Sequence, residues 1–402
     1  VIFGNEMSSR VYHKAEKSKK KYSKKFGDDA AVNYPLYIEK NPYIGDALGV
    51  QNILINGKDN ATEAFDREKG IIVGNIRMGF GHYRISMAMA SAAKHLGYTP
   101  YWLDLNSFPE TTCTKVISAQ NDLYSLGSRL SAKSRLFNRF VWEPMNYEGF
   151  RALSYNAADQ KNAELMAPVY RNIPKDIPVI GTHVWPAQAA VHAGMHYVVN
   201  AIPDNWPMAL HLSEGSVHTV QCHNAYMGYR ILNGMQKDEV LKPMPEESLV
   251  YTGHYIDHEL VSNIESDCAA RIRRKKDKKP MRFLLTIGGA GAQKEIFAAI
   301  IPIAKLYGLD TRKINQAIGM GCECSVIPTN FAAATMSDFS HYEYGYRGRD
   351  GFLIAKAVEK GIYNQRDALD DPAAIQGLYA VMRAPTATMK QKSMPMNRTA
   401  VG

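Results

Sequence analysis

A chain of 402 residues is too long for one ordinary core, and at about 100 to 200 residues per domain it reads as two domains. Hydrophobic residues at 46%, charged residues at 22% and aromatic residues at 10% are globular values and argue against disorder. The net charge of +9 is concentrated in KAEKSKKKYSKK (14–25) and RIRRKKDKK (271–279). Nucleic acid is not the expected partner, because single-strand readers interleave cations with stacking aromatics and each run has at most one tyrosine.

The basic runs read either as solvated helix faces and linker or as contacts to an anionic membrane surface, where each cation near the lipid contributes about 1 kcal/mol. No run approaches the roughly 18 to 20 apolar residues that span a bilayer, and VIFGNEMSSR lacks an export signal, so a cytoplasmic location is expected. The five cysteines, Cys113, Cys222, Cys268, Cys322 and Cys324, are odd in number and scattered, as in a reducing compartment. Only Cys322 and Cys324 are close, and a four-ligand zinc site needs more than one CxC pair, so no metal site is expected.

Residues 1–69 read as an N-terminal extension carrying the first basic segment. The first clean strand is 70–76 (GIIVGNI), followed by the turn RMGFG, a helix with Ile85, Met89, Ala92, Ala93 and Leu96 on one face, and Gly97 as its stop. A second strand, PYWLDL at 100–105, completes a strand, helix, strand unit, the opening of a parallel sheet. Residues 117–170 are helical in pattern. Strand signals return at 177–181 (IPVIG), 197–202 (YVVNAI) and 217–221 (VHTVQ), so residues 70–255 form a doubly wound, Rossmann-like domain with ligands expected beyond the carboxyl ends of its strands.

A linker is expected over 256–280. Beyond it, RFLLTI (282–287) runs into a glycine-rich turn and a helix at 294–306, so residues 281–402 open as a second Rossmann-like domain that becomes divergent after 306. Further helices are plausible at 352–360 and 373–382.

A strand that ends in a glycine-rich turn and opens a helix presents unpaired N–H groups to an anion. Gly288, Gly289, Ala290 and Gly291 fit that description, either as a diphosphate cradle or as a tight turn alone. In the first turn, Gly79, Phe80 and Gly81 lead to His82, which is either a helix cap or a general base. His183 follows IPVIGT, and Asp204 and Trp206 follow VVNAI. Asp204 reads as an Asx turn after Pro203, or as a carboxylate that orients an acceptor hydroxyl or His82. Trp206 is a sugar-stacking platform or a core residue.

Taken in order, MGFGH at 78–82 with its small-residue helix, Thr182, His183 and Pro186, Asp204 and Trp206, the TGH-D turn at Thr252, Gly253, His254 and Asp257, and LLTIGGAGAQKE resemble the GT-B glycosyltransferases. That family includes monogalactosyldiacylglycerol synthases, processive diacylglycerol glucosyltransferases and the peptidoglycan N-acetylglucosaminyltransferase. The ordered series spans about residues 70 to 300. Tyr255 stands where the family's hinge has proline, and no ribose-reading acid segment is found after Leu306, with Glu343 the nearest substitute.

The resemblance implies two Rossmann-like domains facing a cleft and transfer from a nucleotide sugar, UDP-linked, to a lipid or lipid-linked acceptor. It implies His82 with Asp204 as catalytic residues and Gly79, Phe80, Gly81, His183 and Trp206 on the acceptor side. It places the nucleotide sugar on Gly288, Gly289, Ala290, Gly291 and Gln293, with no obligatory metal or other cofactor. A sugar-nucleotide 2-epimerase of the same fold and a non-catalytic nucleotide-sugar-binding protein are the competing readings. The epimerase needs several acids around the sugar, and the missing ribose acid favours the binding protein.

Overall fold

The computed structural model describes residues 1–55, 65–77, 80–237 and 239–278. The chain divides into two units, one of Val1–Ile76 with His82–Tyr255 and one of Arg77–Gly81 with Ile256–Gly402. The expected strand at 282–287, the second glycine-rich turn, Gln293, Glu343 and the helices at 294–306, 352–360 and 373–382 lie outside the described residues, as does Gly79.

The first unit is α/β, built on an eight-stranded sheet of β1 (Leu36–Lys40), β2 (Gln51–Ile55), β3 (Gly70–Asn75), β4 (Thr99–Asp104), β5 (Val179–Gly181), β6 (Val198–Ala201), β7 (Val217–Val220) and β8 (Leu249–Tyr251), compatible with a Rossmann-like fold. The strand order is β1-β2-β4-β3-β5-β6-β7-β8, and every neighbouring pair is parallel except the β1–β2 hairpin. Strands β3 and β4 are apolar on both faces, with Ile72, Val73, Tyr101, Trp102 and Leu103 all buried, which is the signature of a parallel strand covered by helices on both sides.

The helices are α1 (Ser9–Phe26), α2 (Gly45–Leu48), α3 (Phe80–His95), α4 (Thr112–Lys133), α5 (Arg135–Phe137), α6 (Leu153–Ala163), α7 (Val184–His192) and α8 (His223–Arg230). Two π-helical turns, Asn138–Trp142 and Met145–Gly149, continue from α5. Gly97, at φ +84°, ends α3 by letting Tyr98 N–H reach the Ala93 carbonyl, a positive-φ stop that glycine makes without strain. Of the second unit, α9 (His258–Val261) and α10 (Ile264–Lys276) are described, in the stretch expected as a linker.

Residues 1–55 are woven into this first unit. Helix α1 packs on α6, with Lys19 on Glu164 at 2.5 Å and Lys161 on Glu16 at 2.9 Å, and β2 extends the sheet beside β4. Ile2 and Phe3 sink into the same apolar cluster as Leu232, Met244 and Leu249.

Candidate functional site

The strand order places a reversal at the centre of the sheet. From β3 the chain crosses to β4 on one side, and it later returns to β5 on the other. Helices leaving neighbouring strands in opposite directions open a crevice at their carboxyl ends, the usual ligand position in such sheets. Asn75 ends β3 there, α3 begins five residues on, and Thr182 and His183 follow β5.

Two glycines let α7 settle close to this edge. A Cβ on Gly74 would stand 2.9 Å from Pro186 Cβ, and one on Gly181 would stand 2.8 Å from the Ala187 nitrogen. Backbone atoms cannot yield that space cheaply, so the strand-to-helix turn at 181–187 is built around the missing side chains. His183 caps α7, its Nδ1 accepting the Trp185 N–H at 3.2 Å. That fixes the proton of the neutral ring on Nε2. Burial pushes the His183 imidazole well below its ordinary pKa, so it is a neutral Nε2–H donor.

His82 has the opposite tautomer. Its Nδ1 lies 2.8 Å from the Thr182 carbonyl, and a carbonyl only accepts, so Nδ1 carries the proton. Burial lowers the His82 pKa against the pull of the Thr182 carbonyl and the Asp204 carboxylate. A neutral His82 therefore carries its lone pair on Nε2, the arrangement of a general base. The His82 and His183 rings meet edge to face, 4.8 Å between centroids. Ser86 locks the turn, its Oγ donating to the His82 carbonyl at 2.9 Å and lying 2.7 Å from Thr182 Oγ1.

Asp204 bonds another imidazole. Its Oδ2 accepts from His211 Nε2 at 3.1 Å, and that hydrogen bond holds the carboxyl below its ordinary pKa. His211 Nδ1 is 2.7 Å from the Tyr229 hydroxyl, so the ring is held from both sides. The Asp204 carboxylate reaches His82 through its field, while its hydrogen bond goes to His211. Trp206 is 49% exposed, so it is no core residue. Its ring lies 5.8 Å from Tyr147 and carries the Arg151 guanidinium at 5.4 Å, on a groove of about 660 Å³ shared with Trp142 and Pro144.

Sequence reasoning missed His211, Thr182 as the partner of His82, and Asn75. Asn75 is fully buried, and neither polar atom of its amide has a hydrogen-bond partner among the described residues. Buried amides are almost always satisfied, so an unpartnered one at the end of β3 marks a place for a polar guest. A lone asparagine inside GIIVGNI was the available signal. His254, from the TGH-D turn, lies 3.4 Å from Gln221 Oε1, and Tyr255 donates to the Thr219 carbonyl at 2.9 Å. Gly81 and Phe80 open α3. Among the described residues no three His, Cys, Asp or Glu side chains form a metal-binding group.

Fold and crevice together define an α/β protein with a polar, histidine-rich site at the switch point of a mostly parallel sheet. The chain belongs to the family described as a domain of unknown function (DUF6937), whose model matches residues 1–231, and residues 244–324 match a second domain of unknown function (DUF6938). No curated protein and no solved structure matches it.

Proposed function

We propose that the chain is a hexosyltransferase of the two-domain GT-B arrangement, moving a sugar from a UDP-linked donor to a hydroxyl of a lipid or lipid-linked acceptor. The observation that carries this reading is the tautomer of His82: Nδ1–H given to the Thr182 carbonyl, Nε2 left basic at the switch point. In the proposed step, Nε2 takes the acceptor hydroxyl's proton as that oxygen attacks the anomeric carbon. The bond from that carbon to the diphosphate breaks, and the nucleoside diphosphate leaves with its electron pair. Asn75 and the Nε2–H of His183 suit the sugar or acceptor hydroxyls. In this reading Asp204 acts on His82 through its charge while His211 holds the Asp204 carboxylate in place, and the donor diphosphate is held by the amides of Gly288, Gly289, Ala290 and Gly291 with Gln293 beside them.

The test is UDP release from UDP-sugars by the full chain, with and without a lipid-hydroxyl acceptor, alongside UDP binding by calorimetry. Acceptor-dependent release that His82→Gln abolishes while UDP affinity holds is the expected result. Binding of UDP without release across donors and acceptors would instead favour the non-catalytic binding protein.

A further inference from the structure

The second half of α4 and the segment that joins it to α6 carry apolar side chains where none should face water. Leu123, Leu126, Leu130, Leu136, Phe140 and Val141 are 41 to 71% exposed, and Tyr147 and Trp206 border them at 57% and 49%. Scattered exposed leucines are ordinary, but a run of this density on successive helical turns is an interaction surface. Residues 123–149 also hold four cations, Arg129, Lys133, Arg135 and Arg139, against two acids, Glu143 and Glu148. Helix α1, which packs against α4, holds eight cations and one acid. Lys14, Lys17, Lys20, Lys21, Lys24 and Lys25 of that helix are exposed.

We propose that the ridge formed by the second half of α4, α5 and the two π-helical turns is a docking surface for an anionic lipid bilayer. Leucine and phenylalanine would enter the acyl boundary, Arg135 and Arg139 would keep their stems apolar and their guanidinium heads at the phosphates, and Trp142, Tyr147 and Trp206 match the aromatic preference for the headgroup level. One partner answers both halves of this surface, because an anionic bilayer offers an apolar interior under a negative face. The ridge adjoins the crevice: Trp142 packs on Tyr124, and the Trp206 carbonyl accepts the hydroxyl of Tyr229, which also meets His211. This surface does not depend on the sugar-transfer reading.

The experiment is co-sedimentation of the full chain with phosphatidylcholine vesicles, with and without phosphatidylglycerol, for the wild type and for Leu136→Glu/Phe140→Glu, whose fold is checked by circular dichroism. Binding to the phosphatidylglycerol vesicles alone is expected, weakening in high salt and falling about tenfold or more in the double variant. No sedimentation with anionic vesicles, or equal sedimentation of the variant, overturns the proposal. So does a lipid-free dimer that the same variant dissolves, which would give the ridge to a second copy. Vesicle binding without UDP release upholds this surface while sinking the transferase reading, and transfer to a soluble acceptor without vesicle binding does the reverse.

Discussion

Whether His82 works as a base turns on one hydrogen atom. With Nδ1–H committed to the Thr182 carbonyl, protonating Nε2 costs the ring its lone pair, and burial makes that happen below the ordinary imidazole range. The acid limb of kcat/KM is therefore expected below pH 6.5, rate rising with pH through the His82 pKa and then holding level. His82→Gln keeps a hydrogen-bonding group but cannot take a proton at neutral pH. It should lose about 10² to 10⁴ in kcat, roughly 3 to 5 kcal/mol, and lose the limb as well. Near-normal turnover with an unchanged limb would move the base elsewhere. Asn75 makes a second prediction that separates two assays. Removing a buried amide that satisfies nothing should leave the melting temperature of Asn75→Ala within a few degrees of wild type, while substrate affinity falls about tenfold. A large loss of stability with affinity intact would make Asn75 a structural residue.

At the scale of elements, the turn from β5 into α7 has no slack. Gly181→Ala would drive a Cβ against the Ala187 nitrogen and Cβ and the His183 carbonyl, and α7 must shift to admit it. A stability loss of about 1 to 3 kcal/mol is expected from denaturant midpoints. Because Thr182 is the next residue, the His82 Nδ1–H signal in nitrogen NMR should broaden or move. An unmoved signal would show that the turn does not set the tautomer. How far such elements could be read in advance depended on their length and burial. Strands β3 to β7 announced themselves as short apolar runs ahead of turns, because both faces are covered. Strands β1 and β2 did not: LYIEK and QNILI bury little beyond Leu36, Ile38 and Ile53, because β1 is the sheet edge, where polar residues mix freely, and β2 meets β4 only through Gln51 and Asn52. Strand β8 is three residues long, too short for any period. The same limit applied within the site. His82, His183 and Asp204 sit just past strand ends and were found by that rule, whereas His211 sits on the 3₁₀ turn Ala209–His211 and reaches the edge only through folding.

For the whole molecule, the buried Asp159 ties stability to pH. Its carboxylate accepts the Trp185 indole N–H at 2.9 and 2.8 Å, yet burial still lifts its pKa from 3.8 to about 7. A carboxyl that holds its proton more tightly folded than unfolded contributes stability that is full below pH 3.8 and is lost as pH rises to about 7. The span corresponds to about 4 kcal/mol as an order of magnitude. Denaturant midpoints should accordingly fall between about pH 5 and pH 8 in the wild type, and Asp159→Asn should flatten that slope and be the more stable protein at about pH 8. A variant with the wild-type slope would assign the dependence to another group.

The burial of Ile2 and Phe3 bears on how the chain reaches this state during synthesis. Asn5 is held to the backbone of Lys242 by two hydrogen bonds, Nδ2 donating to its carbonyl at 2.9 Å and Oδ1 accepting its N–H at 2.8 Å, while Phe3 N–H is taken by Glu214. A ribosome adding about 5 to 20 residues per second needs roughly 10 to 50 s to travel from Asn5 to Lys242. Throughout that interval two apolar side chains meant for the far end of the sheet have nowhere to go, so the nascent segment is exposed to chaperones and proteases until residue 249 has cleared the exit tunnel, and the sheet is sealed last by residues synthesised long before.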